Sequence, residues 1–222
     1  MIISENLKKI KEEIKAAAIK CGRDASSVTL IAVSKRQPIE AIEQAYLEGQ
    51  RDFGENYVQE LIKKKESLMH LNDIRWHLIG PLQTNKTKLA LQAADVFHVL
   101  DSEKLLNEIN KRVRDSESRK PWPVFIQVNV DDEASKSGVS FEEAENFAKK
   151  AQQTSEIKLL GFMCIPAPTN PNLRQSFQKM ARLAEKLQLK LSMGMSSDFV
   201  TAIEEGSHFV RVGTRIFGER TL

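Results

Sequence analysis

Cysteine is scarce in this chain. Cys21 and Cys164 are its two thiols, far apart and at no metal-ligand spacing, so a disulfide framework and a cysteine metal site are both excluded. A reducing, cytoplasmic setting is the natural expectation. Long apolar runs are also missing: none approaches the ~20 residues that cross a bilayer. The first residues are rich in lysine and glutamate (Glu5, Lys8, Lys9, Lys11, Glu12, Glu13), which does not suit a secretory signal. Nor is there an excess of one charge. With 33 basic residues against 30 acidic, the net charge is +3, which argues against nucleic acid or a membrane as partner. No Gly-rich nucleotide turn follows the first apolar run, which disfavours an open doubly wound sheet. No linker-like stretch divides the chain, so a single domain over residues 1–222 is expected.

The remaining pattern is regular. Leu7, Ile10, Ile14, Ala18 and Cys21 recur at helical spacing, and Gly22 supplies a stop. Beyond them, eight short apolar runs read as strands, at 29–35, 51–54, 74–80, 96–101, 124–130, 159–165, 190–195 and 208–213. Helical stretches follow the first seven, at 39–48, 57–69, 86–93, 103–113, 141–154, 172–187 and 198–206. Strands rich in Val, Ile and Leu without strict alternation suit a parallel sheet covered by helices. Eight such units predict an α/β fold, a single (β/α)8 TIM-type barrel. Little chain follows the eighth strand, so the extra N-terminal helix is expected to pack there. The proline-containing stretch 167–171 reads as a loop after a strand, and the Lys63-Lys64-Lys65 run as a solvated helix face.

In a barrel, functional side chains project from the C-terminal strand ends. Lys35 ends the first strand, where a desolvated amine can form a Schiff base; a lysine snorkelling at a strand end is the plain alternative. Two small-residue turns follow the last two strands, Met193-Gly194-Met195-Ser196-Ser197-Asp198 and Val212-Gly213-Thr214. Ser196 and Thr214 offer hydroxyls, and Gly213 permits close backbone approach, at the strand ends where barrels frequently hold phosphate. The glycines serve equally as turn residues, and Ser197 or Asp198 as a helix N-cap. Asn56 after strand two, His77 inside strand three and Arg211 inside strand eight fit the same mouth. A strand histidine is more often a satisfied core residue, whereas an arginine between valines needs a partner. Gln127 and Asn129 leave both a barrel-facing and a structural role open. His70, His98 and His208 carry no motif, and no metal site emerges.

The assembled segments resemble the pyridoxal phosphate homeostasis protein family, whose fold is similar to the N-terminal barrel of alanine racemase. They are Ala32-Val33-Ser34-Lys35, Phe53-Gly54-Glu55-Asn56-Tyr57-Val58-Gln59-Glu60, the run from Trp76 to Lys86, Lys136-Ser137-Gly138, the run from Leu191 to Ser196, and Val210-Arg211-Val212-Gly213-Thr214. The resemblance implies that Lys35 binds pyridoxal 5′-phosphate (PLP) as a Schiff base. It implies that Ser196, Gly213 and Thr214 hold the phosphate, that Arg211 faces the pyridine nitrogen, and that Asn56 and His77 line the ring pocket. Cys164 stands where the family pattern leads one to expect a smaller residue, and would alter packing or redox sensitivity if it faced the cofactor.

The resemblance further implies a non-catalytic PLP carrier and buffer for amino-acid homeostasis, handing PLP to PLP-dependent apo-enzymes. An arginine at the pyridine nitrogen disfavours its protonation and weakens the ring as an electron sink. Racemases of this fold add a tyrosine from a C-terminal β domain. A chain ending at Leu222 leads one to expect no such domain, and with it a monomer. The alternatives are a PLP-dependent racemase or decarboxylase whose acid/base comes from His77, Tyr57 or a partner subunit, and an aldolase-like barrel, for which no lysine–carboxylate arrangement around Lys35 is evident.

Overall fold

The computed structural model describes residues 2–116, 120–133, 136–167 and 170–218. Part of the proline-containing loop at 167–171 thus lies outside the described residues. Helix α1 (Ile2–Lys20) opens the chain and is followed by β1 (Thr29–Val33), α2 (Ile39–Leu47), β2 (Asp52–Glu55), α3 (Val58–Ser67), β3 (Arg75–Leu78), α4 (Thr87–Ala93), β4 (Val96–Leu100) and α5 (Glu103–Arg114). The second half runs β5 (Trp122–Asn129), β6 (Val139–Ser140), α6 (Phe141–Gln152), β7 (Ile157–Cys164), α7 (Leu173–Leu187), β8 (Lys190–Ser192), α8 (Phe199–Glu204), β9 (Phe209–Val212) and α9 (Thr214–Phe217).

All strand pairings are parallel. Pairing of β1 with both β2 and β9, and of β4 with β5, closes eight strands into a barrel. The eight predicted strands are those eight, several of them shorter than expected. The two-residue β6 is an addition; it pairs with Val128 and Asn129 near the end of β5. Alternation along each strand sorts the core into two layers. Leu30 and Ala32, Phe53, Trp76 and Leu78, and Val210 and Val212 face the helices. On the inner side Ile31 stands beside Arg211 in register, and Gly54 beside His77.

Helix α1 packs against α2, α8 and α9 through the stripe Leu7, Ile10, Ile14, Ala17 and Ala18. It covers the seam that the single turn of α9 is too short to cover, as expected from the sequence. Asn6 Nδ2 donates to the Ile216 carbonyl at 3.0 Å, and Glu13 pairs with Arg215. Among the described residues no helix is long and apolar enough to cross a membrane.

Candidate functional site

The C-terminal strand ends surround a cleft of about 400 Å³. Lys35, Asn56, Ser196, Arg211, Gly213 and Thr214 all line it, together with apolar walls from Val33, Ile79, Ile165 and Met195. Gln37 and Ser197 are polar lining residues that sequence reasoning missed; both sit just past strand ends already marked as functional, which was the available signal.

Lys35 owes its place to the way β1 stops. Ser34 N–H still donates to the Gly54 carbonyl, but Gln37 N–H then bonds back to the Ser34 carbonyl, and Arg36 takes a left-handed φ of 60°. The turn is tied down from outside the barrel. Lys64 Nζ donates to the Ser34 carbonyl at 2.6 Å, to Glu55 Oε1 at 2.8 Å and to Glu60 Oε1 at 2.7 Å. Glu55 Oε1 also accepts from Ser34 Oγ at 2.6 Å, and Glu60 Oε1 from the Arg36 amide at 2.5 Å. Lys64 is therefore not on a solvated face, as the basic run suggested: it is 5% exposed. The signal was present, because Lys64 falls on the buried stripe of Val58, Leu61 and Leu68. This lysine–carboxylate cluster lies behind Lys35, and none of its members lines the cleft.

The neighbouring wall, after β8 and β9, is a cup. Gly194 has a φ of 95°, and its carbonyl accepts from the Arg211 amide at 2.9 Å. The turn then closes on Asp198, whose Oδ1 accepts from the Met195 amide at 2.6 Å. Asp198 precedes α8 but makes no side-chain cap bond to it, so it serves the loop rather than the helix. Ser196 Oγ accepts from the Gly213 amide at 3.4 Å and from Thr214 Oγ1 at 3.2 Å, which joins the two turns. A Cβ at Gly213 would sit 3.1 Å from the Val33 carbonyl oxygen, so this turn presses on the strand that carries Lys35.

Arg211 forms the floor of the cleft. Its Nη1 donates to Ser192 O at 2.7 Å and to Ser192 Oγ at 2.8 Å, and its Nη2 to Cys164 O at 2.9 Å. Burial lowers its pKa, opposed by Cys164 and Asp198. His77, expected in the ring pocket, is elsewhere. It does not line the cleft but lies deeper in the barrel, 1% exposed, bonded to Asp52 and His98. The physical reason is position along β3: Ile79, beyond the strand end, occupies the wall, and His77 falls below it. Cys164 also does not line the cleft; its side chain packs in the helix-facing core. Burial pushes its thiol up to about 12, whereas Cys21 is exposed. Native protein at mild alkaline pH should therefore take up one thiol label, at Cys21, and a second only in denaturant. Rapid native labelling of Cys164 would contradict this packing.

Gln127 Nε2 donates to Ser137 O at 3.0 Å, and Asn129 bonds to both main-chain groups of Glu133, so both residues hold the segment after β5.

A family model described as alanine racemase, N-terminal domain, matches residues 5–221. A pyridoxal phosphate homeostasis protein of Pasteurella multocida is 42% identical over 99% of this chain and 98% of its own. That of Escherichia coli is 40% identical over 98% and 97%. The chain belongs to the pyridoxal phosphate homeostasis protein family. Among solved structures, PipY of Synechococcus elongatus without PLP is 34% identical, with a TM-score of 0.85 over 97% of this chain and 100% of that one. PipY with PLP bound is 32% identical, with a TM-score of 0.81 over the same shares. Alanine racemase of Corynebacterium glutamicum shares the fold alone, at 16% identity and a TM-score of 0.68; this chain covers 62% of it.

The donor set in the cleft suits the ligand that the family name prints. A primary amine, a donor-only guanidinium and a cup of hydroxyls and backbone amides match an aldehyde, a ring nitrogen that accepts, and a phosphate. No carboxylate is among the described lining residues to repel an anion. The volume falls in the range of small-ligand pockets.

Proposed function

We propose that this chain is a single PLP-binding unit that captures the cofactor covalently through Lys35 and serves PLP homeostasis as a carrier and buffer, without turnover. One observation carries the reading: a single cleft joins the Lys35 amine, the Ser196–Gly213–Thr214 cup and the buried Arg211. The names of its relatives and the PLP-bound PipY structure support it. Lys35 Nζ supplies the amine for covalent attachment. Ser196, Gly213 and Thr214 hold the phosphate, in part through leading amides of α9 that lie ahead of its first intrahelical bonds. Asn56, Val33 and Ile79 enclose the ring, and Arg211 directs an N–H at its nitrogen.

When bound, PLP supplies an aldehyde that condenses with amines and a ring that withdraws electrons once its nitrogen is protonated. Arg211 opposes that protonation, because its guanidinium stays charged and two positive charges would meet in a buried site. The chain's own residues thus favour holding the cofactor over using it. The reading extends to a cytoplasmic monomer that releases PLP to PLP-dependent apo-enzymes.

The test is transfer. Protein loaded with PLP and freed of excess is mixed with an apo-aminotransferase. Acceptor activity should return as the donor's visible absorption declines, and amino acids at high protein loading should give no steady product. Sustained racemisation or decarboxylation, abolished by Lys35→Ala, would make the protein an enzyme instead.

A further inference from the structure

Arg211 is one end of a hydrogen-bonded chain that crosses the barrel interior. Ser192 Oγ, which accepts from Arg211, lies 2.9 Å from His98 Nδ1. His98 Nε2 lies 2.9 Å from His77 Nδ1, and His77 Nε2 lies 2.9 Å from Asp52 Oδ1. Arg75 closes the far end, donating to Asp52 Oδ2 at 2.8 Å. These residues come from β9, β8, β4, β3 and β2, so strands on different sides of the barrel meet through its centre. Ser192 and His98 are 0% exposed, His77 1%, Arg211 3% and Asp52 7%. Around the imidazoles stand Phe125, stacked on His98 with centroids 4.4 Å apart, and Phe209, which meets both rings.

The two ends constrain where the protons lie. A guanidinium can only donate, so Ser192 Oγ accepts from Arg211 and has its own hydrogen for His98 Nδ1. A carboxylate can only accept, so His77 carries its hydrogen on Nε2, facing Asp52. Burial raises the Asp52 pKa, but the hydrogen bond from His77, together with Arg75, outweighs it and leaves Asp52 below the ordinary range. Burial, with His77 and Arg211 nearby, holds His98 well below the usual histidine range, so His98 is neutral. With Nδ1 accepting from Ser192, its hydrogen sits on Nε2 and is donated to His77 Nδ1. In that order each link holds one hydrogen, and every bond points from Arg211 towards Asp52. An additional proton on His77 would turn its Nδ1 into a donor and reverse the order up to Ser192, whose oxygen would then meet two donors.

We propose that Asp52, His77, His98 and Ser192 are positioning residues for Arg211, forming a one-directional chain that keeps Ser192 Oγ an acceptor and fixes the guanidinium beneath the ring of the ligand. The inference rests on the reading that Arg211 faces the pyridine nitrogen of PLP. Histidine therefore acts here through Arg211, not on the ligand.

The proton order is measured without PLP. Side-chain nitrogen NMR of the PLP-free protein should show His98 as a neutral Nε2–H tautomer between about pH 5.5 and 8.5, the window in which an ordinary histidine titrates. An Nδ1–H tautomer or a charged imidazole at His98 in that window would overturn the chain. Ser192→Ala removes one oxygen. It should let the His98 tautomers exchange and raise the Kd for PLP roughly 10-fold or more. Borohydride should still fix PLP to Lys35 at saturating PLP. Wild-type affinity in Ser192→Ala would overturn the positioning role. Wild-type protein that binds no PLP would overturn the functional reading instead, and the NMR result separates the two failures.

Discussion

Replacing Lys64 with methionine will lower folding stability by about 3–5 kcal/mol at neutral pH, the penalty for stranding a buried charge. Lys64 is the cation of a buried cluster, and Glu55 beside it is 0% exposed. Burial raises the Glu55 pKa, and the charge and hydrogen bond of Lys64, with the Ser34 bond, oppose it; the carboxyl still ends above its ordinary value. Without Lys64 that pKa rises further. A folded-state pKa raised above the unfolded one costs stability as pH climbs through it and costs nothing below the unfolded value. The deficit of the variant should therefore shrink as pH falls towards about 4, where Glu55 is protonated in both states. Urea unfolding of both proteins at neutral and acidic pH checks this. A difference under about 1 kcal/mol at pH 7 would place Lys64 among exposed pairs instead. Because Lys64 also holds the Ser34 carbonyl, any folded Lys64→Met protein should bind PLP more weakly.

Gly194→Ala should cost about 2–4 kcal/mol and weaken PLP binding, since strain and crowding add at this position. The backbone there has a φ of 95°, and a new Cβ would lie 2.6 Å from the Ala202 Cβ and 2.9 Å from the Phe199 Cα. Neither neighbour can rotate away. Relief requires moving α8 or the turn that carries Ser196, and the Gly194 carbonyl also receives the Arg211 amide. Stability and PLP affinity should fall together. Gly206→Ala is the control: it has a φ of 94° but no atom within 4 Å of the added Cβ, so it should lose only the strain cost and keep its affinity. Equal PLP binding by Gly194→Ala and wild type would show that the cup does not depend on this turn.

The barrel was legible because apolar runs and helical stretches alternate eight times, a pattern that does not depend on long-range detail. The mouth was legible for the same reason. Lys35, Asn56, Ser196, Gly213 and Thr214 all lie at strand ends, and sequence position alone places a strand end at the rim. Depth inside the barrel was not legible. His77 and Ile79, the latter one position past β3, share the inward side, and only the strand's register with its neighbours decides which reaches the cleft. His98 belongs to no motif, yet a polar residue inside Val96-Phe97-His98-Val99-Leu100 is itself a signal of an interior partner. Sequence alone puts Lys64 on a solvated face because its neighbours in sequence are lysines, while its neighbours in space are carboxylates.

The most direct test of the PLP assignment is a visible absorption spectrum of wild type and Lys35→Ala. Both are mixed with PLP, dialysed, reduced with borohydride and mapped by peptide mass. The expected result is a visible band in wild type alone, with the reduced cofactor on the peptide that contains Lys35. Equal labelling of both proteins, or no band in wild type even with PLP in excess, would contradict it.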